Sequence, residues 1–240
     1  MLTTLIVAAN LIVAVGSWVQ GSVGFGLALI SAPLLLIVAP ESVPGPLIAA
    51  TFVLLLLTVL RERQAVDLRG IGWALLGRLP GTALGALTVA RMSGRWLGLT
   101  LGLLTLLAVG LTATRFDIVR KPPWLLIAGT VSGFMGTTAG IGGPAMALLY
   151  QRERGPTVRA SLAAFFVVGA SMSMLGLAWV GRFGKHEVVS GLTMVPGVII
   201  GFLLSKQSGE FLDQGRTRRA VLFVAGASGI AAVVRAILVG

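Results

Sequence analysis

The chain has 240 residues, of which 56% are hydrophobic and only 11% are charged, and its mean hydropathy is +0.96. Ordinary soluble domains carry about a quarter charged residues, so this composition predicts a protein whose solvent is lipid. The chain contains no cysteine and one histidine, which excludes disulfides, thiol catalysis and cysteine or histidine metal clusters, and we expect no metal or other cofactor. The net charge of +11 is spread over short loops without an aromatic platform, so no nucleic-acid partner is expected.

Long apolar segments follow one another along the chain, and a membrane-spanning helix needs about 20 apolar residues. The first and fifth segments are too long for one span, and each contains closely spaced glycines. We therefore interpret each of the two as a pair of helical segments joined by a break, with residues 1–21 and 27–39 on either side of the first break. The eight segments cover, approximately, residues 2–39, 43–60, 71–90, 96–114, 124–150, 158–181, 188–205 and 219–239.

The glycines of these two long segments belong to a pattern that occurs twice, 116 residues apart: SVGFG at 22–26 and TAGIG at 138–142. Helix breaks at corresponding positions of two halves are the sequence feature that best indicates the binding site of a transporter. We therefore predict a duplication, with a first membrane repeat at 1–116, a second at 117–240, and one transmembrane domain formed by both. The same offset relates Pro80-Gly81 to Pro196-Gly197, Gly85 to Gly201, and Gly110 to Gly226.

The basic residues of the loops indicate how the segments cross the membrane. If each long segment enters and returns to the same side, thirteen Lys and Arg fall on one side and four on the other. The positive-inside rule makes the richer side cytoplasmic and leaves both termini outside. The halves then have opposite orientations. We predict an all-α polytopic membrane protein with two inverted-topology repeats, each a glycine-broken helical hairpin plus three transmembrane helices.

The breaks free backbone polar groups at membrane depth, where each costs several kcal/mol unless it is buried in protein or lines an aqueous cavity. An anion bound to exposed N–H groups would supply a partner. The alternative is close packing of helices through small residues, which we prefer for Gly85, Gly102, Gly201 and Gly226. The predicted substrate-binding residues are Gln20, Ser22, Gly24, Phe25, Gly26, Thr137, Thr138, Gly140, Ile141, Gly142, Gly143 and Pro144.

Four further residues interrupt apolar segments. Pro80 and Pro196 would each kink a helix and either shape a cavity wall, act as a hinge, or merely accommodate packing. Arg78 is an anion-selecting charge if it stays inside its segment, but it lies about seven residues from the segment's start and could instead extend to the interface. Arg235, near the end of the last segment, is expected at the interface.

Catalytic chemistry has little support in the sequence, and we predict that the chain is not an enzyme. Every carboxylate lies in a loop, so none is available inside a segment for acid or base work or as a proton relay. His186 lies in the short loop 182–187 and is expected to be solvated. No Walker-type phosphate loop is present, so the chain itself does not consume ATP.

The residues 21–33 (GSVGFGLALISAP) and 133–144 (GFMGTTAGIGGP) resemble the glycine motifs of the TauE/SafE sulfite exporter family. The resemblance covers essentially the whole chain and implies two homologous halves that transport small sulfur-containing or organic anions, including sulfite and sulfonates. The family's motifs fall on Gly24 to Gly26 and on Gly140 to Gly143. Two departures are Leu27-Ala28, in place of an extended glycine run, and Pro144, where a further glycine is usual.

The expected function is a secondary transporter, an exporter of a small anion, with its site at the midplane between the two breaks. An anion channel and a non-transporting scaffold or assembly protein are the alternatives. We expect a multi-pass protein of the bacterial cytoplasmic membrane whose partners are its anionic substrate and the bilayer, and the sequence is compatible with a homo-oligomer.

Overall fold

A computed structural model describes residues 2–114, 118–208 and 214–238. Within these ranges every regular element is helical, as the sequence predicts. Short 3-10 helices at Pro40–Ser42, Arg63–Ala65 and Leu148–Tyr150 connect some of the longer elements. The described α-helices are α1 (Leu2–Val23), α2 (Leu27–Val38), α3 (Gly45–Glu62), α4 (Leu68–Arg91), α5 (Gly94–Ala113), α6 (Pro122–Ala139), α7 (Gly143–Ala147), α8 (Gly155–Trp179), α9 (Lys185–Leu192), α10 (Val195–Ser208) and α11 (Gln214–Leu238).

Five of the described helices are long and apolar enough to cross a membrane: α1, α3, α5, α8 and α11. The pair α9 and α10 adds a sixth if the two count as one span, although they are bent by 46° at residues 193 and 194. Helix α4 has 24 residues but also contains Arg69, Arg78 and Arg91. Large apolar side chains on the outer faces, such as Leu11, Leu175 and Phe223, are exposed as lipid contacts require.

Glycine allows the chain to reverse after α1. Gly24 and Gly26 have φ angles of 99° and 128°, a region that other residues rarely adopt. Beyond them α2 returns along α1, and the hydroxyl of Ser31 donates a hydrogen bond to the carbonyl of Ile12 at 3.3 Å. A β-carbon on Gly16 would lie 2.5 Å from the Ser31 Oγ, so this close return depends on a third glycine.

A second reversal follows α6, whose C-terminal cap, Gly140, has a left-handed conformation with φ of 76°. The short helix α7 then begins at Gly143, with Pro144 in its first turn, where no backbone N–H is needed. The hydroxyl of Ser132 donates a hydrogen bond to the carbonyl of Gly142 at 2.8 Å. The start of α7 therefore lies beside the middle of α6.

Two pairs of helices pack with their backbones in contact. A β-carbon on Gly77 or Gly81 of α4 would lie 2.1 or 2.0 Å from a carbonyl oxygen of α6, and one on Gly197 or Gly201 of α10 would lie 2.3 or 2.2 Å from one of α1. Such contacts are typical of helix pairs in membranes. The opposing carbonyls belong to Leu126 and Thr130 in the first pair and to Asn10 and Ala14 in the second.

The packing role expected for four glycines holds for three of them. A β-carbon on Gly85, Gly102 or Gly201 would meet a neighbouring helix within 3 Å. Gly226 differs, because the nearest atom to its β-carbon would be the Val109 Cγ1 at the ordinary contact distance of 3.9 Å.

The two prolines differ in their effect on the backbone. Helix α4 continues through Pro80 without interruption, whereas α9 ends at Leu192 and α10 begins just before Pro196. Both proline rings are exposed on the outside of the bundle. Neither lines the central cavity described below, so direct shaping of a cavity wall is not observed.

Charged residues of the described loops make contacts at two ends of the bundle. At one end, here called the basic face, Arg120 forms ion pairs with Asp67 at 2.7 Å and Glu153 at 2.5 Å. These contacts join loops 61–69, 118–121 and 151–159. At the opposite face the Arg182 guanidinium donates hydrogen bonds to the carbonyls of Ala90 and Met92.

Candidate anion site

A cavity lies where the two glycine breaks meet. A β-carbon on Gly143 would be 2.8 Å from the Cβ of Phe25, and one on Gly140 would be 3.4 Å from the Cβ of Ala28. The space open to the centres of water molecules is about 50 Å³, enough for a few waters or one small ion. The lining residues are Gln20, Phe25, Gly26, Ala28, Leu29, Ile48, Thr51, Leu55, Arg78, Gly136, Gly140, Ile141, Gly142, Gly143, Pro144, Phe166, Ala170 and Ser173.

Arg78, near the middle of α4, supplies the cavity's charge. The residue is only 3% exposed, so its side chain is buried within the bundle and does not extend to the surface. Its Nη1 donates a hydrogen bond to the Ser132 Oγ at 2.9 Å. Because the same hydroxyl donates to the Gly142 carbonyl, a chain of two hydrogen bonds connects the cation to the second break.

Three glycines make room for this guanidinium. A β-carbon on Gly169 of α8 would lie 2.2 Å from the Arg78 Cζ, and one on Gly136 of α6 would lie 2.9 Å from its Nη2. At Gly142 the corresponding distance to Nη1 is 3.4 Å. Three separate segments therefore present bare backbone to the cation. Any larger side chain at position 169 would force the Arg78 guanidinium to move.

The charge of Arg78 has no anionic partner among the described residues. None of their carboxylates lies within ion-pair distance, and the buried Nε has no hydrogen-bond partner. The rings of Phe165 and Phe166 lie 5.1 and 5.9 Å from the Cζ, within the range of cation–π attraction. The Ser132 hydroxyl and these two rings leave the positive charge of the guanidinium without a counter-charge among the described residues.

Gln20 connects the cavity to the start of α2. The side chain is buried, and its Oε1 accepts a hydrogen bond from the backbone N–H of Leu27 at 3.0 Å. One backbone donor freed by the first break is thereby satisfied within the protein.

Two hydroxyl-bearing residues complete the polar part of the lining. Ser173 of α8 shares a hydrogen bond of 2.8 Å with the Thr137 hydroxyl, and Thr51 of α3 donates to the carbonyl of Leu47 at 2.7 Å. Most other lining side chains are apolar, so the cavity has one charged point and few polar contacts.

Most of the predicted substrate-binding residues line this cavity, and four do not. Ser22 donates a hydrogen bond to the Trp18 carbonyl within its own helix, while a β-carbon on Gly24 would contact Arg159. Thr137 and Thr138 are buried behind the lining. The lining set comprises Gln20, Phe25, Gly26, Gly140, Ile141, Gly142, Gly143 and Pro144, together with Arg78.

The hydroxyls at 22 and 138 lie outside the cavity for a geometric reason. Each precedes its break by two residues and still belongs to the helix, on the side turned away from the cavity. The Thr138 Oγ1 is buried without a hydrogen-bond partner. A hydroxyl at the same place in both copies is therefore a poor indicator of ligand contact here.

Sequence reasoning missed the walls supplied by α3 and α8. Their side chains lie within uniform apolar runs that carry no local signal, and only the tertiary packing of α3 against α8 brings them to the cavity. Gly136 was detectable in principle, because it lies in the glycine-rich stretch before the second break. The missed residues of α3 and α8 are Ile48, Thr51, Leu55, Phe166, Ala170 and Ser173.

Ser22 lies instead in a charged cluster at the basic face. The Arg61 guanidinium donates to the Gly21 carbonyl at 2.8 Å and to the Ser205 Oγ at 3.0 Å. The Arg159 Nε donates to the Glu62 carboxylate at 2.8 Å. We call Arg61, Glu62 and Arg159 the Arg61 cluster, which joins the end of α1 to α3, α8 and α10.

Arg235 contacts the C-terminal end of α2. Its Nη1 donates hydrogen bonds to the carbonyls of Leu36, at 3.1 Å, and Ile37. A cation at a helix C-terminus satisfies carbonyls that lack intrahelical partners and interacts favourably with the helix dipole.

Comparison with known proteins identifies the family. No curated protein and no solved structure gives a significant match to the chain. The family model described as "Sulfite exporter TauE/SafE" matches residues 9–232, which is most of the chain and includes both glycine breaks and Arg78. The chain therefore belongs to the TauE/SafE sulfite exporter family.

Proposed function

We propose that this protein is a secondary transporter, working as an exporter, of a small anion such as sulfite or a sulfonate. The anion binds in the central cavity beside Arg78. The observation that carries this proposal is the burial of an unpaired guanidinium, 3% exposed, in a cavity between two helix breaks. Membership of a sulfite exporter family supports the class of substrate.

The chemistry of Arg78 fits an oxyanion. A guanidinium presents several N–H donors in a planar fork that matches the geometry of oxyanions, and such charge-assisted hydrogen bonds are roughly twice as strong as neutral ones. A charged side chain at the bilayer centre costs about 2.5–3.5 kcal/mol on insertion scales, so its presence calls for a functional explanation. A bound anion offsets this cost.

The packing of the halves supports an inverted repeat. Helix α1 packs on α10 of the other half, and α6 packs on α4 in the same way, while α3 packs on α8 and α5 on α11. These exchanges are what a pseudo-twofold axis in the membrane plane would produce. The two glycine-broken hairpins would then reach the cavity from opposite faces.

The backbone contacts refine the predicted register of this repeat. Leu126 and Thr130 of α6 lie 116 residues after Asn10 and Ala14, as the motifs do. Their glycine partners are Gly77 and Gly81 in α4 and Gly197 and Gly201 in α10, and the corresponding glycines are 120 residues apart. The match of Pro80-Gly81 to Pro196-Gly197 is therefore one helical turn out of register, and the bend between α9 and α10 accommodates the four extra residues.

The loop charges support an orientation. We infer that the basic face is cytoplasmic and that both termini lie outside the bacterial cytoplasmic membrane. Alternating access would require the halves to move against each other around Arg78, and the bend next to Pro196 offers a hinge. Pro80, in a continuous helix, remains a weaker hinge candidate.

An anion-dependent shift in thermal stability tests the site. A ligand that binds only the folded state stabilises it by RT ln(1 + [L]/Kd), about 2.7 kcal/mol at a hundred times Kd. We expect sulfite to raise the melting temperature of the purified wild type and to have little effect on Arg78→Gln. Arg91→Gln, which removes an exposed arginine from the same helix, should behave as the wild type does.

The alternatives are separated by the form of the flux. A carrier saturates with substrate, whereas a channel gives non-saturating flux or single-channel currents. A scaffold or assembly protein would show neither flux nor an anion-dependent stability shift. Equal shifts in the wild type and Arg78→Gln would refute the assignment of the site to Arg78.

A further inference from the structure

We propose that the cavity selects monovalent over divalent anions, so that sulfite is carried as hydrogensulfite. This inference rests on the proposed function and adds the charge of the transported species. It follows from the single charged residue that lines the cavity, from the positions of the other ionisable residues on the surrounding helices, and from the scarcity of polar side chains in the cavity wall.

The cavity carries a single positive charge. Arg78 is the one ionisable residue among those that line it in the part of the chain that the structure describes. The Arg78 Nη1 is hydrogen-bonded to the neutral hydroxyl of Ser132, and the adjoining rings are those of Phe165 and Phe166. Without a bound anion, the cavity therefore holds one uncompensated charge.

The surrounding helices supply no second cation at this depth. Helices α1, α2, α6 and α7 contain no ionisable residue. The ionisable residues of α3 are Arg61 and Glu62, and the one in α8 is Arg159. All three belong to the Arg61 cluster at the basic face. In α4 the other arginines lie near its two ends, at 69 and 91.

A monovalent anion neutralises this charge, and a divalent anion reverses it. The first forms a net neutral pair with Arg78 in a low-dielectric site, where such pairing is needed to offset desolvation. The second charge of a dianion loses its hydration without a counter-charge, which makes its burial costly. Both kinds of anion would pair with the same guanidinium. The difference in their binding free energies therefore comes from the second, unpaired charge of the dianion.

The cavity wall offers few side-chain groups that could replace the lost hydration. Its neutral polar side chains are those of Gln20, Thr51 and Ser173, and the Gln20 Oε1 and both hydroxyls already take part in hydrogen bonds within the protein. Most of the remaining side chains are aliphatic or aromatic, and the space open to the centres of water molecules, about 50 Å³, holds only a few waters. A strongly hydrated dianion therefore meets few substitutes for its water shell.

Proton movement follows from this selection. Hydrogensulfite and sulfite interconvert near neutral pH, so binding of the monovalent form carries a proton with the sulfur. The single histidine, His186, is exposed at the opposite face, and no carboxylate among the described residues lines the cavity. The pH dependence of sulfite transport should thus follow the protonation of the substrate.

Competition in proteoliposomes tests the charge selection. Initial sulfite uptake is measured at constant total sulfite between about pH 6 and about pH 8, with the same pH on both sides. Methanesulfonate, a monovalent anion throughout this range, and sulfate, a divalent one, serve as competitors. We expect uptake to fall with the hydrogensulfite concentration as the pH rises, and methanesulfonate to compete at least roughly tenfold better than sulfate.

Sulfate that competes as well as methanesulfonate, or uptake that rises with the concentration of divalent sulfite, would overturn the selection and leave the transporter intact. Absence of saturable sulfite uptake at every pH would instead remove the proposed function. The two failures are therefore distinct.

A second cation provides an independent check. Thr51→Lys adds a positive charge at a lining position, and Thr51→Met controls for the added bulk. We expect the lysine variant to narrow the preference for methanesulfonate over sulfate by roughly tenfold relative to the methionine variant. An unchanged preference in a folded lysine variant would contradict the charge argument, and the wild-type competition decides the matter if that variant does not fold.

Discussion

At the scale of single residues, the position of the Arg78 guanidinium depends on neighbouring glycines, which have no side chain. Gly136, Gly142 and Gly169 let three segments approach the guanidinium. None of them stands out by residue type, because the chain contains 33 glycines. Their role is defined by what a β-carbon would contact, which only the assembled fold reveals.

Gly169→Ala should displace the Arg78 guanidinium, because the new β-carbon would lie 2.2 Å from its Cζ. We expect saturable sulfite transport to fall at least roughly tenfold while the protein remains folded. Gly176→Ala, in the same helix, is the matched control, since its β-carbon would meet only methyl groups of Thr82 and Ala86 at 3.3 and 3.5 Å. Equal transport by both variants would contradict the importance of the guanidinium's position.

Gly26→Ala should destabilise the first break. The φ angle of 128° is unfavourable for alanine, and the β-carbon would approach the Val19 Cγ1 at 3.1 Å. A strained backbone position costs on the order of 1–3 kcal/mol, and thermal unfolding in detergent would measure the loss. In contrast, Gly72→Ala in α4, whose β-carbon would meet nothing within 4 Å, should be neutral or stabilising. A stable Gly26→Ala variant would argue against a break that depends on this φ.

At the scale of helices, the Arg61 cluster secures the end of α1. A helix end leaves carbonyls without intrahelical partners, and Arg61 satisfies that of Gly21 from α3. The same guanidinium lies over the Phe202 ring at 4.4 Å, so α10 is held to the same point. Arg61 thus joins α1 and α3 to α10, next to the first break.

Arg61→Ala should therefore lower the stability of the fold. It leaves the Gly21 carbonyl and the Ser205 hydroxyl without this donor, and an unsatisfied buried polar group costs about 1–3 kcal/mol. The neighbouring Arg63 is exposed, so Arg63→Ala should change the unfolding temperature little. Similar effects of both substitutions would show that the cluster does not secure α1.

The division into helices was largely predictable, because apolar runs and glycine breaks are local signals. The spacing of the motifs located the second break, and α6 ends one residue before the predicted Gly140. The bend between α9 and α10 was less evident, since Pro196 suggested a kink within one helix. The cavity walls from α3 and α8 were not predictable from uniform apolar runs, because their inward faces are determined by tertiary packing.

At the scale of the whole molecule, the loop charges predict an orientation that can be measured. The chain lacks cysteine, so single cysteines report accessibility without background. Arg63 and Lys185 are exposed at the basic and opposite faces. With a membrane-impermeant maleimide, Lys185→Cys should react in spheroplasts, and Arg63→Cys only after permeabilisation. The reverse pattern would invert the proposed orientation.

The central claim is that Arg78 binds the transported anion, and sulfite flux into proteoliposomes tests it most directly. Initial rates against sulfite concentration would be compared for the wild type, Arg78→Gln and Arg91→Gln at equal reconstitution. We predict saturable flux for the wild type and for Arg91→Gln, and a loss of at least roughly a hundredfold for Arg78→Gln. Saturable flux of wild-type magnitude in a folded Arg78→Gln protein would contradict the account.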